Sequence, residues 1–152
     1  MPARSSECRS SAIPVRSLRS PRARLDLLQV LSESVLVPPV VAHEIRWSVP
    51  DRPAWVVVHS LAAAVPDVVL RRSLGDGERE TIGLALQLRA DLVIVDDLPA
   101  RRAARAAGLH VVGTVGLLLG AKRRGLLDRV RPELDSLIKN AFFMSPQLYQ
   151  RS

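Results

Sequence analysis

An α/β fold, a parallel sheet covered by helices on both faces, is the architecture this sequence predicts. Three observations predict it: short Val-, Ile- and Leu-rich runs that are apolar at every position, helix-period segments between them, and capping or turn residues at the joins. Read in order, "RLDLLQVLS" has helical spacing, and "SVLVP" is a β-rich run stopped by Pro38 and Pro39. A helix opens near Pro39, a residue suited to a first turn, and runs through "VVAHEIRW". After the turn-like "SVPDRP", "AWVVVHS" reads as a strand. A helix then covers about 76–89, followed by a strand at 92–96, a helix at 99–107 closed by Gly108, and a strand at 109–112. Thr114 is placed to cap a helix at 115–124, and "LLDRVRPELDSLIKNAFF" reads as helix interrupted at Pro132.

The chain has 152 residues, 47% of them hydrophobic, enough for one compact domain with a core. No uncharged apolar run is long enough to span a bilayer, so no membrane association is expected. Cys8 is the single cysteine, which excludes an internal disulfide and points to a reducing cytoplasm. The formal charge of +7 favours an anionic partner, nucleic acid first.

Part of that charge sits in residues 1–24, which hold six Arg, six Ser and three Pro with Glu7 as the one acid. Such a stretch is expected to be an irregular or disordered basic arm, leaving 25–152 as the folded domain. It lacks both the amphipathic helix of a transit peptide and the apolar core of a secretion signal.

Chemistry concentrates in the acids. Asp96 and Asp97 end the apolar run "LVIV", the carboxyl end of a strand, where open α/β sheets place their working sites. One of the pair, Asp97, is expected to cap the following helix, which leaves Asp96 for another role. On a helical wheel Glu44 falls between Val40 and Val41, inside the apolar face, and Glu78 lines up with Ile82 and Ala85. A first-turn acid complements the helix dipole, which explains that Glu78 lies near a helix start but not that it faces the core. Burying a carboxylate costs on the order of several kcal/mol unless a cation or proton neutralises it. Mg2+ or Mn2+, which take oxygen ligands and need few carboxylates, are the expected neutralisers.

Together these segments resemble a known family. The string "LGDGERETIGLALQLRADLVIVDDLPARRAARAAGLHVVGTVGLLLGAKRRGLL", with "LDLLQVLSESVLVPPVVAHEI" upstream and the tail through "MSPQLYQ", is similar to the PIN-domain superfamily. Within it, the likeness is to the short prokaryotic branch of VapC-like, nucleic-acid-binding proteins, and it covers about residues 25–152. The resemblance implies a three-layer α/β/α sandwich and a metal-dependent ribonuclease, the toxin half of a toxin–antitoxin pair. It implies Glu44, Glu78 and Asp96 as catalytic acids and ligands of Mg2+ or Mn2+, Glu80 as a weaker substitute for Glu78, and Asp97 as a neighbouring ligand. It also implies RNA as substrate, an antitoxin protein as partner, and a homodimer.

One position departs from the family pattern. The family opens with a central strand ending in aspartate, in a motif such as Asp-Thr-Ser-Pro-Leu. Matching "IPVRSL" to its Pro-Leu part puts Ser11 at the aspartate, and "MPARSSECR" makes a poor strand. The first strand and its acid are therefore expected to be missing, through divergence or an altered start or reading frame.

Under the nuclease reading, the metal would activate a water in line with a phosphodiester. Arg101, Arg102, Arg105, Lys122, Arg123 and Arg124 would hold the phosphates outside the acidic pocket. The alternative is a catalytically impaired PIN-like module that binds nucleic acid or protein, which Ser11 favours. A phosphotransfer or nucleotide module is a third option, opposed by the lack of a phosphate-loop glycine pattern in "GDG" and "GTVGLLLG". "HEIRW" is not a His-Glu-x-x-His zinc motif, and His43, His59 and His110 are scattered. Trp47, Trp55, Phe142, Phe143 and Tyr149 are too dispersed for a base-stacking platform.

Overall fold

The computed structural model describes residues 10–12, 25–32, 34–46, 53–70 and 73–139. In chain order the elements are β1 (Ser10–Ala12), α1 (Leu25–Leu31), β2 (Ser34–Val37), α2 (Pro39–Arg46), β3 (Val56–Val58) and α3 (Asp67–Leu70). They continue with α4 (Asp76–Leu88), β4 (Leu92–Ile94), α5 (Leu98–Ala106), β5 (Val111–Val112), α6 (Thr114–Arg123) and α7 (Arg131–Lys139). The strands form one parallel sheet in the order β3-β2-β1-β4-β5. No helix among the described residues is long and apolar enough to cross a membrane.

Unbroken apolar runs become strands here because both faces of the sheet are covered. Val93, Ile94 and Val95 are all fully buried. Val93 and Val95 meet Val69, Ile82, Ala85, Ala103 and Ala104 from α3, α4 and α5. Ile94, on the opposite face, packs with Val35, Val37 and Val41, and with the half-buried Leu28 and Leu117. Beyond it Leu27, Leu118, Leu134 and Leu137 join α1, α6 and α7. The result is the expected three-layer sandwich.

The expectation that the first strand is missing is corrected. Ser10–Ala12, within the stretch read as an irregular arm, is the central strand: Ser11 lies opposite Val35 of β2 and Leu92 of β4. Main-chain groups pair whatever side chain they carry, and an empty slot between β2 and β4 would leave two rows of buried donors and acceptors unpaired. Strand propensity is weak enough for this context to override a Ser-rich sequence.

Other boundaries shift for local reasons. Pro132 lies in the first turn of α7 and does not interrupt a helix, as its missing N–H costs nothing there. Gly113, not Thr114, is the N-cap of α6. Helix α3 was not anticipated, and the β3 and β5 runs are shorter than their apolar segments. Asp97 does cap α5, its Oδ2 accepting from the Ala100 N–H at 3.0 Å. Gly108, at φ +83°, closes that helix as expected. Trp55 is half-buried against the β2 core, while Trp47, Phe142, Phe143 and Tyr149 lie outside the described residues.

Candidate functional site

The strand order fixes where the acids gather. β1 is flanked by β2 and β4, so the chain leaves the centre in opposite directions, and a crevice opens beyond the carboxyl ends of these strands. Helices that return between parallel strands run against them, so the first turns of α2, α4, α5 and α6 all lie along this edge. Glu44 follows β2 on α2, Glu78 is in the first turn of α4, and Asp96 and Asp97 follow β4.

Two of the acids at this edge accept hydrogen bonds from helix starts. Asp96 Oδ1 accepts from the Thr114 backbone N–H at 2.7 Å, and its Oδ2 accepts from the Thr114 hydroxyl at 2.6 Å. The N-cap of α6 is Gly113, which has no side chain to cap with, so Asp96 caps that helix from 18 residues upstream. At α4 the N-cap is again a glycine, Gly75, and the Glu78 carboxylate fills the space that a side chain there would need. Glu44 reaches the same turn from α2: its Oε1 lies 3.8 Å from where a Cβ on Gly77 would stand. The expected inward tilt of Glu44 is thus present, directed at α4. Glu80 is half-buried further along α4.

The six cations do not form one ring around these acids. Arg101 is close: a Cβ on Gly113 would lie 3.0 Å from Asp96 Oδ1 and 3.6 Å from Arg101 Nη1. Its Nε is buried with no hydrogen-bond partner among the described residues. Arg102 is exposed beside it. Arg105 is in the last turn of α5, and Lys122, Arg123 and Arg124 end α6. At 1.5 Å per residue these last three lie about 12–15 Å along α6 from Thr114, toward the other end of the sheet. Arg79 was not singled out by sequence reasoning. It is half-buried, its Nη1 is 3.5 Å from Asp76, and its Nε has no partner among the described residues.

The chain matches a family model described as DUF3368, PIN domain, over residues 11–152. It belongs to the PIN-domain family. The match begins in β1, which agrees with a central strand at Ser10–Ala12. No curated protein matches the chain. Among solved structures it resembles a PilT N-terminus domain protein from the hyperthermophilic archaeon Sulfolobus solfataricus P2. The TM-score is 0.53 at 18% identity, covering 74% of this chain and 92% of that one. That likeness supports the fold.

As a PIN domain the chain raises the question of whether its residues fit a divalent cation, and the donor set falls short. Among the described residues no group of three or more His, Cys, Asp or Glu side chains is placed to hold a metal ion. Glu44 and Glu78 approach one helical turn from two sides, but Asp96 faces Thr114 and Asp97 faces the α5 backbone. The central strand offers Ser11, a neutral residue, between β2 and β4. Glu44, Glu78, Asp96 and Asp97 do not come together as such a group among the described residues. Thr114 is the residue that sequence reasoning undervalued: it was read as a cap, and it is the group capped.

Proposed function

We propose that this PIN-domain chain binds RNA along the carboxyl edge of its sheet and is impaired as a metal-dependent ribonuclease. The observation that carries this reading is Ser11. It occupies the central strand, where the family resemblance calls for an aspartate, so the edge lacks the carboxylate nearest its middle. A +7 chain with Arg101 and Arg102 beside that edge still suits a polyanion. The test is binding of a labelled single-stranded RNA at several salt concentrations, with cleavage followed in Mg2+ and in Mn2+. Salt-sensitive binding without metal-dependent cleavage is expected, and salt-insensitive or absent binding overturns the proposal.

A second reading is an active ribonuclease of the VapC-like branch, a toxin held by an antitoxin. The approach of Glu44 to Gly77 and of Glu78 to Gly75 favours it, since two carboxylates beside one helical turn are the start of a Mg2+ or Mn2+ site. Under that reading Glu44, Glu78 and Asp96 are the ligands. Cleavage would then need the metal and would be abolished by Asp96→Asn.

A further inference from the structure

Three helices present their N-termini along one edge, and three acids meet them. Glu78 folds over the N-cap of α4, Asp97 accepts from the first turn of α5, and Asp96 accepts twice from Thr114 at the start of α6. Each helix N-terminus carries the equivalent of about half a positive charge, with unpaired N–H groups that favour a carboxylate. Two of these helices, α4 and α6, have glycine at the N-cap and no side-chain cap of their own.

We infer that Asp96 and Asp97 serve as helix caps, and that Thr114 is the positioning residue which commits Asp96 to α6 in place of a divalent cation. This deepens the proposal of an impaired ribonuclease by naming what consumes the would-be ligands. Three observations bear on Asp96. Both of its oxygens take short hydrogen bonds, at 2.7 and 2.6 Å, from a residue that is itself buried. The bare Cα of Gly113 lets Asp96 and the Arg101 guanidinium approach a common point, so a cation placed there would meet a positive charge. Glu44 and Glu78 lie instead beside the first turn of α4, on separate backbone segments.

The test uses the full chain without RNA, so its outcome is independent of the RNA-binding proposal. Thermal unfolding is measured for the native chain and for Asp96→Ala, Thr114→Val, Thr114→Ser and the Asp96→Ala/Thr114→Val double variant, each with and without MnCl2. Binding of Mn2+ to the native chain is followed separately by water proton relaxation. Loss of a cap should lower Tm by about 2–8 °C in Asp96→Ala and in Thr114→Val. The double variant should lose little more than the larger single loss, because the two residues form one interaction. Thr114→Ser should keep most of the native Tm, since it retains the hydroxyl and the N–H. Mn2+ should leave Tm unchanged and show no saturable relaxation change. A saturable Mn2+ signal on the native chain, or a Mn2+-dependent rise in Tm that disappears in Asp96→Ala, overturns the inference. So do additive losses in the double variant.

Discussion

Gln87 and Ala63 are joined by their amides in both directions. Gln87 Nε2 donates to the Ala63 carbonyl at 2.7 Å, and its Oε1 accepts from the Ala63 N–H at 3.3 Å and from the Ala62 N–H at 2.8 Å. This side chain on α4 supplies main-chain partners for the apolar, alanine-rich connection between β3 and α3, which has no regular structure to supply its own. Replacing Gln87 with Ala should therefore release residues 59–65 locally. Amide exchange at Ala62 and Ala63 should accelerate well beyond that in α4, with a global stability loss of about 1 kcal/mol because the bonds are exposed. Unchanged exchange at both amides would show that the connection holds without Gln87.

The same connection explains a glycine in the middle of a helix. Gly83 is buried in α4, and a Cβ there would stand 3.0 Å from Leu61 Cδ2 and from Val65 Cγ2. In an exposed helix Gly→Ala gains about 1 kcal/mol, whereas forcing a methyl group into a filled contact costs about 1–3 kcal/mol. Packing should win, so Gly83→Ala is expected to lower the denaturant midpoint. A raised midpoint would mean that Leu61 and Val65 yield without loss.

Arg89 ends α4 in the left-handed region, at φ 51°, where its N–H and that of Ala90 turn back to the carbonyls of Leu86 and Ala85. The conformation closes the helix, but a Cβ makes it unfavourable by about 1–2 kcal/mol, part of which glycine gives back as greater freedom in the unfolded chain. Arg89→Gly should thus stabilise the protein by about 0.5–1 kcal/mol, measured by urea unfolding. Destabilisation would assign the arginine side chain a contact that outweighs the backbone.

Where sequence reading succeeded, the signal was local. Val93, Ile94 and Val95 announce a doubly covered strand by composition alone, and Asp97 with Pro99 announces a helix start. It failed where the cause was distant. Ser10–Ala12 is a strand because β2 and β4 flank it, and no property of two serines and an alanine states that. Asp96 raised the right question, since one aspartate of the pair suffices to cap α5. The answer depended on Thr114 arriving beside it through the packing of β4 against β5. The metal pocket was inferred from helix faces, which say that Glu44 and Glu78 turn inward but not what they meet. Likewise the six cations cluster in sequence, while the direction of α6 carries three of them away.

That separation of charge is measurable. Arg101 and Arg102 stand at the edge proposed to bind RNA, whereas Lys122, Arg123 and Arg124 sit about 12–15 Å along α6 from Thr114. If RNA lies along the carboxyl edge, Arg101→Ala should weaken binding and flatten the salt dependence by roughly one phosphate contact. Lys122→Ala and Arg123→Ala together should change it less. A larger loss from the α6 pair would move the RNA path to the opposite end of the sheet.

The departure at Ser11 also makes a prediction about the gene. Residues 12–17, Ala-Ile-Pro-Val-Arg-Ser, can be spelled GCG ATT CCG GTC CGC TCT. Read from the third base of the first codon, the same nucleotides give GAT TCC GGT CCG CTC, or Asp-Ser-Gly-Pro-Leu. This is the kind of pattern that the family resemblance places at the end of the central strand. The aspartate follows whenever the Ala12 codon ends in G, because every isoleucine codon begins with AT. We therefore expect the gene to carry this motif in the shifted frame, with a compensating shift before Leu25, where the family likeness resumes. Sequencing across codons 8–25 checks it: a stop codon or a different residue in that frame would leave divergence as the explanation for Ser11. If the motif is there, a chain expressed with the shifted segment would regain a carboxylate in β1, between β2 and β4. With Asp96 held by Thr114, that chain should still show no saturable Mn2+ signal; a saturable signal would mean that the added carboxylate draws Asp96 away from α6.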